Sequence, residues 1–411
     1  MKTSIPTLSI LSSAVLVSSG LMAFENTKVL PKGIRNLSLK NVATTISSKT
    51  TSSGESELLA KPLEKALTFD TIVKGEKGLK KTLLRGFLDA EGFKGDEILL
   101  GVNAEMKANV NVVAPVLSYG LSDNLTLALA VPYYSAATRL KTGFIPTPRA
   151  DEFLTRLTSP EHNLTASAKE VADKFNHMEG ELNAKLERNG YQPLGDWQAK
   201  GLGDVVLAAK YRFYDGTALK AANLSGVSLA TGRIADPDAL TSIPFGKGAH
   251  QVFTGLILDQ PLPLNFTCNQ FAKYSHPLTA THELRLKTEN EALEVEKAPV
   301  KFALGDQLEA GTSLQFEPSW GLIAGLGYLY QAKGNDRYYL DDHPESRAKW
   351  EENTSGRAHY VETKFGYSGI GAYQRHEIMV PFTADLEYKK FLGGINTTTN
   401  DLLSLNLAIF F

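Results

Sequence analysis

Apolar and polar residues alternate strictly at the end of the chain. Leu403, Leu405, Leu407, Ile409 and Phe411 share one face, while Ser404, Asn406 and Ala408 share the other. The same period of two recurs upstream. In 105–119, Met106, Ala108, Val110, Val112, Ala114 and Val116 oppose Glu105, Lys107, Asn109 and Asn111. In 124–134, Leu125, Leu127, Leu129, Val131 and Tyr133 oppose Asn124, Thr126, Ala128 and Ala130. In 204–214, Val205, Leu207, Ala209, Tyr211 and Phe213 oppose Asp204, Lys210 and Arg212. The pattern returns in 307–317 and 377–389, where Glu309, Asp385, Glu387 and Lys389 take the polar face. Alternation over roughly ten residues is the strand template and matches a tilted bilayer crossing. A soluble sandwich could end in one such strand, but termini usually fray and a sandwich gives no reason for the sustained repeat.

The connections are of two kinds. Gly, Pro and Asp mark tight turns at 119–123, 214–216, 261–263 and 317–319. Long connections alternate with them at about 50–95, 142–200, 234–248, 278–304, 334–355 and 392–400. Short turns at one end and long loops at the other characterise outer-membrane barrels. Strands are expected near 34–48, 96–119, 123–141, 201–214, 217–233, 249–260, 264–277, 305–317, 320–333, 356–367, 376–391 and 400–411. The expected fold is therefore an all-β transmembrane antiparallel β-barrel of about twelve strands. The even count puts both termini on the periplasmic side and the long loops outside. Two loops read as partly helical. Leu79, Leu83 and Phe87 recur at helical spacing in 76–91, as do Val171, Phe175, Met178, Leu182 and Leu186 in 168–188. Such helices could cap the barrel rim or form a hatch over its mouth. The Ser/Thr-rich segment 44–55 reads as a mobile loop.

Composition adds limits. Residues 1–23 read as a secretory signal: Lys2 starts it, Ile5 to Val17 forms an apolar core, and cleavage is expected after Ala23. The barrel then occupies 24–411, with 142–200 as a long helical loop. A net charge of −2, from 43 basic and 45 acidic residues, gives no field that would draw nucleic acid. Cys268 is the single cysteine, so neither an intramolecular disulfide nor a Cys-rich metal site is available.

Two stretches carry a resemblance. The hairpin Tyr119-Gly120-Leu121-Ser122-Asp123-Asn124-Leu125-Thr126-Leu127, closing on Val131-Pro132-Tyr133, is followed by Gly201-Leu202-Gly203-Asp204 and a strand through Lys210-Tyr211. In that order they resemble the outer-membrane proteins of the phenol-degradation meta-pathway group, and Leu30-Pro31-Lys32-Gly33 is similar to the start of such barrels. The long loop at 142–200 and the weaker strands in 264–304 depart from that pattern. The resemblance implies passage of small, often apolar or aromatic, molecules through the outer membrane.

Candidate chemistry follows from the strand reading. Glu105, Lys107, Asp204, Lys210, Arg212, Glu309, Glu362, Lys364, Asp385, Glu387 and Lys389 sit on polar faces and are the candidate pore-lining residues. They either pair with one another to fill a narrow lumen or line a solute path. Both signs are present, which disfavours a single-sign selectivity ring. Leu405, Leu407, Ile409 and Phe411 are the candidate assembly signal. The expected partners are outer-membrane lipid, the barrel-assembly machinery and a small-molecule solute. Asp341-Asp342-His343 is the one tight acid–His cluster, and a solvated turn before Pro344 is the simpler reading. Neither an HExxH metal motif nor a GxSxG nucleophile elbow occurs, so no catalytic step, metal or cofactor is expected. The competing readings are a cell-surface barrel hydrolase and a structural or adhesive barrel with a blocked lumen.

Overall fold

A computed structural model of the chain describes residues 25–64, 66–75, 78–159, 173, 177–286 and 293–411. The signal-peptide expectation falls outside the described residues, as does most of the helical reading of 168–176. Twelve antiparallel strands close into a barrel. They are β1 (Arg35–Ile46), β2 (Ile98–Ser122), β3 (Leu125–Ala130 and Tyr133–Pro146), β4 (Trp197–Leu202 and Val205–Asp215), β5 (Lys220–Leu229) and β6 (Gln251–Leu262). The second half comprises β7 (Phe266–Pro277), β8 (Gln307–Phe316), β9 (Leu322–Lys333), β10 (Gly356–Ser368), β11 (Phe382–Ile395) and β12 (Leu402–Phe410). Closure runs through β1, which pairs with β12 from Asn36↔Phe410 to Thr44↔Leu402 and with β2 from Arg35↔Tyr119 to Ile46↔Ala108. Among the described residues the barrel sheet has no open edge, as a structure in hydrocarbon requires.

The alternation sorts the two faces as a bilayer demands. Leu37, Leu39, Leu117, Leu127, Leu129, Leu207, Leu403, Leu405, Leu407 and Ile409 point outward and are exposed. Tyr119, Phe213, Tyr367 and Phe411 lie near the short-turn (lower) end, and Tyr133, Tyr274 and Tyr388 near the long-loop (upper) end. Apolar side chains between two aromatic girdles are the outer surface of a membrane barrel. Leu405, Leu407, Ile409 and Phe411, the candidate assembly signal, all lie on this face.

β2 breaks the rule at its upper end. Ala104, Met106, Ala108, Val110 and Val112 face inward and are buried, so Glu105 and Lys107 point outward, ion-paired to each other at 2.7 Å. β2 and β3 extend past their neighbours as a long hairpin, Leu100 still pairing with Pro146. Above the lipid belt the outside is aqueous and the inside packed, so the polarity of the two faces is that of a soluble sheet.

Upper loops build on this overhang. Helices α1 (Phe69–Gly75), α2 (Gly78–Ala90) and α3 (Pro148–Leu157) bury Phe69, Leu84, Phe87, Phe93 and Phe153 in a core of their own. The buried stripe of α2 is Leu84, Phe87 and Leu88, while Leu79 is 73% exposed. The sequence expectation of a Leu79–Leu83–Phe87 face is thus rotated, because the four phenylalanines gather on one side of α2. In the other long loop, α4 (Met178–Arg188) packs Leu186 against Tyr191 and Leu293.

Other boundaries moved for local reasons. The segment expected to be mobile at 44–55 continues β1 and forms a small hairpin, Ser48–Thr50 against Ser56–Leu58, with Thr50 buried. β11 starts at Phe382, not near 376, because a short helix (Ile370–Gln374) occupies the turn and Pro381 precedes the strand. It then runs to Ile395, which leaves only 396–401 as the last upper connection.

Candidate functional site

The lumen has two zones. Its upper half is apolar along β1, β2, β3, β9 and β10: Val42, Met106, Val110, Tyr134, Leu329 and Tyr360 are buried, with Trp197, Phe271 and Phe391 packed against them. A loop, 230–250, folds into this half from above. It brings Ile243 and Phe245, with Phe245 stacked on Tyr134 at 5.2 Å between ring centroids.

Asp204 clamps that loop. β4 is interrupted at Gly203-Asp204, where a bulge turns the carboxylate into the barrel. Its oxygens accept hydrogen bonds from the Gly232 amide (2.9 Å) and the Lys247 amide (2.9 Å). The Lys247 ammonium donates to Gln251 Oε1 at 2.8 Å and Gln307 Oε1 at 2.7 Å. Burial pushes the Lys247 pKa down to about 8, against the pull of nearby Glu309.

Below lies a charged belt. Lys364 reaches Asp385 at 3.3 Å and Glu387 at 3.2 Å, Lys40 approaches Glu387 at 3.4 Å, and Lys389 pairs with Glu362 at 2.8 Å. On the facing wall a second pair sits higher, beside Lys247: Lys273 meets Glu309 at 2.5 Å, and Gln331 donates to Glu309 at 3.1 Å. Asn406 donates to Asp385 at 2.8 Å. Buried charges without partners are strongly disfavoured, and here opposite signs meet on adjacent strands or, for Lys40 and Glu387, across the one strand between them.

The lower opening holds the chain's own N-terminal segment, 25–33. The Thr27 amide and hydroxyl both donate to Asp259 Oδ2, at 2.8 and 2.6 Å, and Asn269 holds the other oxygen at 2.6 Å. Lys210 donates to the Asn26 carbonyl at 3.0 Å and lies 3.6 Å from Glu25. The Leu30 amide donates to Thr126 Oγ1 at 2.7 Å. Arg212 pairs with Asp215 at 3.2 Å near the same end.

Nine of the eleven candidate pore-lining residues therefore face the lumen: Asp204, Lys210, Arg212, Glu309, Glu362, Lys364, Asp385, Glu387 and Lys389. Glu105 and Lys107 do not, for the reason given above. Lys40, Lys247, Asp259 and Lys273 escaped the sequence reading. Lys40 follows Asn36 and Ser38 on a polar face that alternation could have exposed. Lys273 is masked by Gln270 and His276, which make the outward face of β7 polar too. Asp341 is fully exposed and 3.7 Å from Arg347, as a solvated turn would have it.

The motif glycines also find a use. A Cβ on Gly120 would lie 2.0 Å from the Pro31 carbonyl oxygen, and one on Gly203 2.4 Å from the Tyr134 ring. Gly120 thus admits the N-terminal segment and Gly203 the buried ring beneath the loop.

No family model matches the chain, and no curated protein matches it. Among solved structures, it is similar to an outer membrane channel from Pseudomonas putida F1, with 10% identity, a TM-score of 0.53, and coverage of 95% of this chain and 99% of that one. A Pseudomonas aeruginosa FadL homologue aligns at 8% identity and TM-score 0.33, over 95% of this chain and 93% of that one. The P. putida toluene transporter TodX aligns at 10% identity and TM-score 0.32, over 93% and 91%. At these identities the first likeness is one of fold: the closed antiparallel barrel of an outer-membrane protein.

Proposed function

We propose that the protein is an outer-membrane channel for passive passage of small, apolar or aromatic molecules, with its termini in the periplasm and its long loops outside. The observation that carries this reading is the upper lumen, lined by Met106, Val110, Tyr134, Phe245, Leu329 and Tyr360 inside a barrel whose outer wall is built for lipid. A path for hydrophilic ions would need water-exposed polar walls, whereas the charges below are paired to one another. The resemblance of the Gly120 and Gly203 motifs to the phenol-degradation group supports the same solute class. The exposed C-terminal strand supports recognition of Leu405, Leu407, Ile409 and Phe411 by barrel-assembly machinery. No catalytic step is part of this reading.

A second reading has an observation of its own. The loop above and segment 25–33 below both fill the lumen, as a structural barrel with a blocked lumen would. Uptake separates the two. Proteoliposomes holding the wild type should take up a small aromatic hydrocarbon faster than empty vesicles, and Phe245→Ala should increase that rate. Uptake equal to empty vesicles in both would leave the blocked barrel standing.

A further inference from the structure

The outward face changes character where β2, β3 and β4 leave the hydrocarbon. A tilted strand crosses the belt in about 9–11 residues. Counted up from Tyr119, Leu125 and Phe213, that crossing ends near Asn109, Ser135 and Gly203. Lys200 stands opposite Ser135 at this boundary, with Tyr133 and Leu202 paired just below. Lys107 and Arg139 stand opposite each other above it, and Lys141 stands opposite Glu105 one outward step further. All four cations are exposed.

Other outward charges near the upper end are answered locally. His276 and Tyr274 both meet Asp306, at 2.6 and 2.7 Å, and Lys390 lies 3.6 Å from Asp401. On β2 to β4 the cations outnumber the acids. Glu105 pairs with Lys107, and Asp196 spends one oxygen on the Leu140 amide at 2.9 Å. Arg139, Lys141 and Lys200 make no ion pair among the described residues. Like charges directly opposite on neighbouring strands destabilise a sheet, so Lys107 and Arg139 call for an anion between them.

We propose that this patch binds the phosphates of the glycolipid that forms the outer leaflet of the outer membrane. The proposal rests on the reading above that the long loops face outward. Position selects the occupant: where hydrocarbon ends, the group that faces the wall is a lipid headgroup. Charge selects its chemistry, because Lys107, Arg139 and Lys200 offer charged donors to phosphate oxygens, Arg139 in a two-pronged fork. Tyr133 and Leu202, both exposed, continue the patch downward as an apolar surface for the acyl chains of the same molecule.

The test begins with protein reconstituted in lipid vesicles and shown to float with them. Extracted into mild detergent, it is titrated with diphosphoryl lipid A, with lipid A stripped of its phosphates, and with phosphatidylglycerol. Diphosphoryl lipid A should bind, more weakly as salt is raised, and the other two at least tenfold less tightly. Arg139→Gln combined with Lys200→Gln should lower the affinity for diphosphoryl lipid A at least tenfold. Lys390→Gln, away from the patch on β11, should leave it unchanged. Glutamine suits an exposed strand position, so both variants should fold and float as the wild type does. No binding by floated wild type, equal affinity in the double variant, equal loss in Lys390→Gln, or binding indifferent to the phosphates would each overturn the proposal. Preference for phosphatidylglycerol would put the patch in the inner leaflet and overturn it together with the orientation. Failure to float would instead strike at the membrane reading itself.

Discussion

Asp204→Ala is the sharpest single test of the loop clamp. Its carboxylate is buried and accepts from two loop amides, Gly232 and Lys247, each at 2.9 Å. Hydrogen bonds to a charged group contribute about 1.5–3 kcal/mol each, so losing both should weaken docking of the loop by about 3–6 kcal/mol. At about 1.4 kcal/mol per tenfold, the open population should rise by roughly a hundredfold or more. The stacking of Phe245 on Tyr134 survives the substitution and sets a floor to the loosening. Amide hydrogen exchange reads the change directly: protection across 230–250 should collapse while β9–β12 keep theirs. Asp204→Asn, which retains one acceptor oxygen, should fall between. Unchanged loop protection in Asp204→Ala would refute the clamp, and uniform loss over all strands would make Asp204 a general stability residue instead.

The other predictions follow from the same geometry. The Lys247 pKa is lowered to about 8 in the docked loop and returns to an ordinary lysine value when the loop is free. The penalty for burying its ammonium is therefore fully present below about pH 8 and fades as pH rises toward 10. Loop protection should increase over that window, and Lys247→Met should flatten the dependence. Removing one partner of a buried pair leaves a bare charge, so Glu362→Ala should lower barrel stability by about 3–5 kcal/mol in urea titrations. Glu362→Leu combined with Lys389→Leu should cost much less; equal losses would mean the pair is not the unit. Asp259→Ala removes both bonds to Thr27 and should expose segment 25–33 to protease at least tenfold faster, with the barrel intact. Gly120→Ala should act on the same segment through the Pro31 carbonyl, and unchanged cleavage would deny the close approach.

The outer wall was legible in the sequence because lipid imposes a rule that repeats. Leu403 to Phe411, Leu125 to Tyr133 and Val205 to Phe213 each had to be apolar at every second position. The interior was legible only where the opposite face was apolar, which found Asp385, Glu387 and Lys389 but not Lys273. The sign of the rule also depends on height. Met106 and Val110 point inward because β2 there has left the bilayer, and no pattern within 105–119 announces where lipid ends. The loop could not be read at all. Phe245 and Lys247 have no periodicity; they gain meaning from Tyr134, Asp204 and Gln307, which are distant in sequence. The motif around Gly203-Asp204 was visible as a resemblance, while its role needed the three-dimensional contacts.

Those contacts divide the lumen into fixed and movable parts. The belt formed by Lys40, Glu362, Lys364, Asp385, Glu387 and Lys389 ties together strands β1, β10 and β11, and Asn406 joins β12 to it through Asp385. Every member belongs to the wall, so displacing any of them means separating a buried charge from its partner. The opposite side, from β3 to β8, carries the wall pair Lys273–Glu309 and is otherwise filled by chain segments that do not belong to the wall. Loop 230–250 hangs on Asp204, and segment 25–33 on Asp259, Lys210 and Thr126. Their anchors are a handful of hydrogen bonds, individually small beside the cost of opening the belt. On the proposed channel reading, a solute path would run along β3 to β8, with Phe245 at its upper barrier and Thr27 at its lower one. The belt stays shut and acts as the rigid side of the passage.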